Sequence, residues 1–314
     1  MFALRGSGVS LAVLVLLYGA LSLVVISGQN LVVRLGRRLS PSLASDLLFA
    51  WRIFPLVVSA AITVFYAVPS FLLLEPVHAD EPFGADLVVL CVCCLAIIVA
   101  GLFRAFMAQR KTSLALATWL NGAEEMGSAE TVPVYRTGTH TPALTVAGVC
   151  APRVLVSKTA VALLSDQELQ TALKHEAAHV RRRDNLKKLL FRFAVFPGMS
   201  KLESAWSEAA EMAADDAAVD SQRDALDLAA ALIKLSRYAA GQPSTMLSSA
   251  LLHSSAASLA ARVERLFAWT KIRSTGKKFS MYVLPAALMA LLCVVSTYST
   301  VLAGMHVATE WLVR

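Results

Sequence analysis

Long apolar stretches separated by short charged loops dominate the first third of the chain and return near its C-terminus. Residues 9–26, 54–74, 87–103 and 281–305 contain no charged side chain. A helix needs about 20 apolar residues to cross a hydrocarbon core of ~30 Å, so each stretch has roughly the length of a transmembrane span. The pattern predicts an integral membrane protein, mainly α, with four transmembrane helices and a polar segment between the third and the fourth.

The composition agrees with a membrane protein. Hydrophobic residues make up 57% of the chain and charged residues 16%, with a mean hydropathy of +0.61, which is too apolar for a soluble enzyme. The net charge of +7 does not indicate direct nucleic-acid binding, because most basic residues flank the apolar stretches. Four cysteines lie inside apolar stretches and are interpreted as small buried hydrophobic residues: Cys91, Cys93, Cys94 and Cys293.

The charged loops give one consistent orientation for the four spans. Basic residues follow the first and third spans and precede the fourth, whereas the loop after the second span is acidic. Cytoplasmic loops are enriched in lysine and arginine, so we expect residues 104–280 on the cytoplasmic side of the plasma (inner) membrane. We predict a three-helix membrane region at 1–111, a cytoplasmic domain at 112–280, and the fourth span with a short outer tail at 281–314.

The cytoplasmic segment has a strand-like part followed by a helical part. Residues 131–157 are rich in β-branched residues, Gly and Pro, which predicts short strands with tight turns. From Ser165 the pattern is helical, and Glu168 three residues later completes the capping-box pattern of a helix start. An amphipathic helix at 226–238 is expected to pack on the helix that begins at Ser165.

Two features after the first helix leave alternatives open. The basic residues within 181–188 face either anionic lipid headgroups or solvent. The apolar stretch at 189–197 is too short to span a bilayer, so it is expected in the core, with contact to the membrane surface as the alternative.

The segment at 175–179 reads His-Glu-Ala-Ala-His, the HExxH motif. Residues four apart lie on one face of a helix, so His175 and His179 can direct both imidazoles at one metal ion. Catalytic zinc keeps one position open for a water molecule, whose pKa it lowers to about 7. Glu176 lies beside the histidines and is the candidate general base. Apolar residues on the other face favour a packed helix over a chance pair of surface histidines: Leu169, Ala172, Leu173 and Val180.

A third metal ligand is expected from a separate helix downstream. Glu211 is the best candidate, because Asp215 follows one turn later within an alanine-rich face that allows close helix approach. Asp215 is placed to accept the free ring N–H of a ligand histidine, and Asp184 is either a second such residue or a partner of neighbouring arginines. A His-His-Glu set most often holds zinc, although it does not exclude manganese or iron. The rival third ligands are Glu203, Glu208 and Asp216.

Two segments taken together resemble a known family. His-Glu-Ala-Ala-His-Val-Arg-Arg-Arg-Asp-Asn at 175–185 and Glu-Met-Ala-Ala-Asp-Asp-Ala at 211–217 are similar to the BlaR/MecR-type antirepressor metallopeptidases, which are integral-membrane gluzincins. The order of three spans, a cytoplasmic zinc domain and a fourth span is also similar, as are residues 142–152 and the pair Arg262-Val263. The resemblance implies an α+β gluzincin-like domain with zinc as cofactor, and it assigns the ligands His175, His179 and Glu211, the general base Glu176 and the family's ExxxD aspartate Asp215.

We therefore expect a membrane-embedded zinc endopeptidase that cleaves a cytoplasmic protein. The resemblance implies a transcriptional repressor in a signalling pathway as the substrate, and also self-cleavage. Antibiotic-sensing members carry a penicillin-binding domain after the fourth span, whereas this chain ends at Arg314, so β-lactam sensing is not expected. The strand-rich stretch at 132–156 is a candidate edge for binding an extended substrate.

Two alternatives remain beside this expectation. A membrane-protein quality-control protease of the HtpX type shares the HExxH and ExxxD motifs, although its spans usually occur in pairs around the zinc domain. A non-catalytic membrane signalling scaffold with a structural zinc belongs to a different class of protein. The intact Glu176 argues against the scaffold, because a structural site has no need of a general base.

Overall fold

The structure, a computed structural model, describes residues 2–75, 84–138, 141–239, 248–250, 256–270 and 296–309. Most of these residues are helical, and the described strands form one mixed sheet. The N-terminal part contains α1 (Phe2–Gly36), α2 (Pro41–Ile62), α3 (Val68–Leu74) and α4 (Ala85–Leu120). A π-helical turn at Thr63–Ala67 joins α2 to α3.

Three helical segments among the described residues are long and apolar enough to cross a membrane. They are Phe2–Gly36, Pro41–Leu74 and Ala85–Leu120, and they contain the first three predicted spans. The prediction of long apolar helices is therefore confirmed for these three. Of the fourth predicted span at 281–305, residues 281–295 lie outside the described part, and residues 296–305 belong to a helix that continues to residue 309. The orientation of the chain across the membrane stays a prediction.

The helices extend well beyond the apolar stretches. α1 has 35 residues and α4 has 36, about 50 Å at 1.5 Å per residue, which exceeds the ~30 Å of a hydrocarbon core. The basic loop expected after the first span is mostly helical, since α2 begins only a few residues after α1 ends. Apolar content marks the length that crosses a membrane, whereas the helix itself continues through good helix formers in the polar flanks.

The chain divides into two compact units. The first comprises Met1–Ser27, Ile53–Ala100 and Ile272–Arg314, and the second comprises Gly28–Arg52 and Gly101–Lys271. The core of the first unit includes Val9, Ala12, Val13, Ala67, Phe71 and Leu87. A Cβ atom at Gly6 would lie 2.7 Å from the ring of Phe71, so the glycine allows α1 to pack closely on α3.

The second unit contains the sheet. Its strands are β1 (Glu124–Ala129), β2 (Val132–Thr137), β3 (Leu144–Ala147), β4 (Arg153–Ser157) and β5 (Ser248–Ala250), in the order β1-β2-β4-β3-β5. β2 and β4 are parallel, and the other neighbouring strands are antiparallel. The strand prediction is confirmed for β2, β3 and β4. The sequence did not predict β1, because its largely exposed Glu-Glu-Met-Gly-Ser-Ala segment lacks β-branched and aromatic residues.

The second unit also contains the remaining helices of the described residues up to residue 267. They are α5 (Lys158–Leu163), α6 (Asp166–Arg181), α7 (Asp184–Phe193), α8 (Ser200–Ala218), α9 (Gln222–Ala239) and α10 (Ala256–Phe267). α6 begins with the predicted capping box, in which Ser165 and Glu168 each accept a backbone N–H of the other. α6 packs on α8, α9 and β3. The expected packing of the amphipathic helix on the motif helix is therefore confirmed.

Basic residues at the end of α6 and in α7 contact acidic side chains of the protein itself. Arg182 Nη2 lies 3.3 Å from Asp46 Oδ1, and Lys187 Nζ lies 3.7 Å from the same atom. Arg181 pairs with Glu130. From the sequence, these basic residues were expected to face either lipid headgroups or solvent, and ion pairs within the protein were not predicted. Asp46 lies on α2, so the pairs connect the end of the motif helix to a helix that the sequence assigned to the membrane region.

Candidate metal centre

The HExxH motif occupies the C-terminal half of α6, where its polar side chains are buried. His175 and Glu176 are 0% exposed and His179 is 3% exposed. Ala177 and Ala178 between them are also fully buried, and such small side chains allow neighbouring helices to approach. Burying several polar groups is costly unless they find partners. The partners of these three side chains therefore define the site.

Glu211 of α8 faces both histidines. Its Oε2 lies 3.6 Å from His175 Nε2, its Oε1 lies 3.6 Å from His179 Nε2, and the two Nε2 atoms are 3.2 Å apart. One candidate ligand atom from each residue lies within 4.8 Å of the others. Ligand atoms around tetrahedral zinc, at metal distances of 2.0–2.2 Å, are separated by about 3.3–3.6 Å. The spacing and the chemistry of these residues thus fit a zinc ion.

Each histidine has a carboxylate at its other ring nitrogen. His179 Nδ1 lies 2.7 Å from Asp184 Oδ2, and His175 Nδ1 lies 3.0 Å from Asp215 Oδ1. Both aspartates are 1% exposed. An ionised carboxylate only accepts hydrogen bonds, so a proton on each Nδ1 leaves the Nε2 lone pairs directed toward Glu211. The structure thus brings together the two histidines, Glu211, Asp184 and Asp215.

Glu176 lies beside His175 in this centre, and neither carboxylate oxygen forms a hydrogen bond of good geometry with the described residues, although the backbone N–H of Val146 is close enough to lower its pKa. Burial is the main cause that raises the pKa of Glu176 to about 8, and the negative charge of Glu211 adds to it. A fully buried carboxyl with so little hydrogen bonding calls for a specific reason. A role as general base is such a reason, because the base must lie beside the metal ligands to accept a proton from a water molecule. The position of Glu176 is therefore consistent with a metal ion at this site.

Arg262 of α10 completes the centre, although the sequence analysis gave it no role. Its Nε and Nη2 lie 2.8 and 2.6 Å from the two oxygens of Asp215, and its Nη1 lies 3.0 Å from Glu211 Oε2. Burial raises the pKa of both carboxyls, but the charges of Arg262 and the histidines outweigh it. The pKa of Asp215 falls to about 2, and that of Glu211 is well below its usual range. The available signal was the pair Arg262-Val263, which the sequence gives only as part of the family resemblance.

The rival third ligands lie elsewhere. Glu203 pairs with Arg52, whose Nη2 is 2.9 Å from its Oε1. Asp216 pairs with an arginine of α10, and Glu208 is exposed. A further histidine, His253, lies outside the described residues. Within the described chain, Glu211 is therefore the acidic residue of α8 that joins the two histidines.

The sequence model of the BlaR1 peptidase M56 family matches residues 84–266. The matched region spans more than half of the chain and includes α4, the sheet and every residue of the centre. The chain belongs to this family. A search of curated proteins gives no match. BlaR1 peptidase M56 is a family of metallopeptidases, and a candidate His-His-Glu metal site together with long apolar helices agrees with a membrane-associated metallopeptidase. The resemblance drawn from the two sequence segments is confirmed.

Proposed function

We propose that this protein is a membrane-embedded zinc endopeptidase that cleaves a cytoplasmic protein, with a transcriptional repressor as its substrate. The observation that carries the proposal is the convergence of His175, His179 and Glu211 beside the buried carboxyl of Glu176. Membership of the BlaR1 peptidase M56 family supports peptide-bond hydrolysis. The cytoplasmic location of the centre rests on the distribution of basic residues around the apolar stretches.

Each group in the centre has a separate part in the proposed reaction. Bound zinc supplies Lewis acidity, which polarises the scissile carbonyl and lowers the pKa of water. The two histidines and Glu211 hold the ion, while Asp184 and Asp215 fix the orientation of the imidazoles. Glu176 takes the proton of the attacking water and delivers it to the leaving amine nitrogen.

The strand β3 is the candidate binding edge for an extended substrate. β3 packs on α6 and pairs with β4 on one side and with β5 on the other, where Val146 is opposite Ser249. Because β5 belongs to the same chain, a substrate strand that pairs with β3 must take the place of β5. The pairing with β5 shows that an extended segment can occupy this edge. A substrate peptide bound away from β3 would exclude this role.

The substitution Glu176→Gln tests the proposed reaction, because the amide keeps the shape of the side chain but is a far poorer proton acceptor. We expect the purified full-length variant to retain zinc and to lose cleavage of a candidate repressor by at least about 10²–10⁴-fold. The matched control is Glu208→Gln on the exposed side of α8, which should cleave at the wild-type rate. Zinc content is measured by atomic emission, and cleavage is followed on gels with protein in reconstituted membranes.

The outcomes separate the proposal from the two alternatives. Wild-type cleavage by Glu176→Gln would exclude this residue as the general base. A wild-type protein that binds zinc but cleaves neither itself nor any candidate repressor would favour the non-catalytic scaffold. Cleavage of many misfolded membrane proteins, with no preference for a repressor, would favour a quality-control protease.

A further inference from the structure

Arg262 contacts two acidic residues of the metal centre at once. It lies on α10, whereas both of its partners, Glu211 and Asp215, lie on α8. Its side chain is 2% exposed. A guanidinium loses much of its hydration at such a position, so its five N–H donors must be matched by acceptors within the protein.

The contacts with the two carboxylates differ in kind. Asp215 accepts from Nε and Nη2 at both of its oxygens, a two-pronged contact that fixes the plane of the carboxylate. Asp215 in turn lies 3.0 Å from Nδ1 of His175. Glu211 is contacted by Nη1 at Oε2, which also lies 3.6 Å from His175 Nε2, while its Oε1 lies 3.6 Å from His179 Nε2. Arg262 thus reaches one candidate ligand directly and another through Asp215.

We propose that Arg262 is a positioning residue that holds the carboxylate of Glu211 through Oε2 and orients His175 through Asp215. This inference rests on the proposed function, because it requires a metal ion at the three candidate ligands. A glutamate whose carboxylate is held by Arg262 has less freedom to turn, and a catalytic zinc site depends on ligands fixed in one geometry with an open position for water. Lysine cannot reproduce this role, since a point charge has no planar fork for two carboxylates.

A purely structural role, in which Arg262 only attaches α10 to α8, is the competing explanation. The same helix offers a matched control for it in Arg265, about one turn further on. Arg265 pairs with Asp216, and its Nη2 lies 3.4 Å from the carbonyl oxygen of Met212. These contacts tie the same two helices together but touch no candidate metal ligand.

The test uses the full-length protein loaded with zinc or with cobalt(II), whose visible absorption bands report the number and geometry of ligands. We expect Arg262→Met to lower zinc affinity by about 10–100-fold, the cost usual for residues that orient ligands. Arg262→Lys should recover part of this affinity through its charge, yet its cobalt spectrum should differ from that of the wild type. Arg265→Met should leave both the zinc affinity and the cobalt spectrum unchanged.

Each outcome decides the inference without a cleavage assay. The inference would be overturned if both Arg262 variants had a zinc affinity within twofold of the wild type and an unchanged cobalt spectrum. Equal losses of zinc affinity in Arg262→Met and Arg265→Met would also overturn it. If Arg262→Met does not fold, the spectrum of Arg262→Lys decides. A wild-type protein that binds neither metal would overturn both this inference and the proposed function. A metal-binding wild type that lacks peptidase activity would contradict only the proposed function.

Discussion

Asp184 is the acidic side chain through which α7 reaches the metal centre, at the ring nitrogen of His179 that faces away from Glu211. We expect Asp184→Asn to lower zinc affinity by about 10–100-fold, because an amide can still accept the ring N–H but lacks the charge that raises ligand basicity. Competition with a chromophoric chelator measures this affinity. Asp216→Asn, which removes a charge of α8 outside the centre, is the control. Equal affinities in the two variants would show that Asp184 does not support the ligand.

At the same scale, the sequence could predict residues whose chemistry follows from spacing along one helix. His175, Glu176 and His179 are related by a fixed motif, and Glu211 by its four-residue distance to Asp215. The partners of Asp184 could not be decided, because both a ligand histidine and basic residues lie within reach along the chain. Arg262 comes from a separate helix, and no spacing rule relates it to α8. Its role depends on tertiary packing that brings α10 against the glutamate helix.

Glu168 connects the start of α6 to α9. Its carboxylate completes the capping box and lies 2.7 and 2.8 Å from Lys234 Nζ. Burial acts to raise the pKa of Glu168, but the bonds to Lys234 and Ser165 outweigh it and lower that pKa. A carboxyl with a lowered folded-state pKa adds stability above its unfolded pKa, and this stability is lost as pH falls through the folded value.

We therefore expect Glu168→Gln to lower the free energy of unfolding by about 1 kcal/mol at pH 7. The difference from the wild type should shrink once the pH falls below about 4.3, the ordinary value for glutamate. Thermal unfolding in detergent, followed at neutral and acidic pH, measures both quantities. Asp166→Asn, an exposed residue in the same helical turn, serves as the control with a smaller effect. A destabilisation that stays constant down to pH 3 would contradict the assigned charge effect.

Among the elements, those with a strong local pattern were predictable. The alternating β-branched residues of β2 to β4 and the capping box of α6 are signals within a few residues of one another. The parallel pairing of β2 with β4 was not predictable, because β3 intervenes in sequence and lies on the far side of β4. β5 was also missed: a three-residue strand carries too little pattern, and its pairing depends on β3, a distant segment.

For the whole molecule, apolar stretches predicted the long helices, but they did not predict how compact units would divide the chain. The second unit includes Gly28–Arg52, which comes from α1 and α2, together with Gly101–Lys271. Hydropathy is a local property of the sequence, whereas a compact unit is defined by contacts between segments that are distant in sequence. Charged side chains make several of these contacts, and nothing in the sequence indicates the partners of Arg52, one of the basic residues that follow the first span.

Arg52 is the clearest such contact within the second unit. It is 2% exposed, and its Nη2 lies 2.7 Å from the carbonyl oxygen of Ala194 and 2.9 Å from Glu203 Oε1. Its guanidinium carbon also lies 5.4 Å from the centre of the Phe191 ring. This side chain therefore joins α2 to the segment between α7 and α8, which lies next to the helix that carries Glu211.

Replacing Arg52 by methionine keeps the apolar bulk but leaves the carbonyl of Ala194 and the carboxylate of Glu203 without this donor. We expect a loss of about 2 kcal/mol in the free energy of unfolding, because the carbonyl is buried while Glu203 is partly exposed and can recover water. In a unit of this size, that loss lowers the melting temperature by about 4–8 °C, measured by thermal unfolding in detergent. Zinc affinity should remain at the wild-type value, since Arg52 touches no candidate ligand. Arg38→Met at an exposed position is the control, and an equal melting temperature for both variants would mean that the contact does not stabilise the unit.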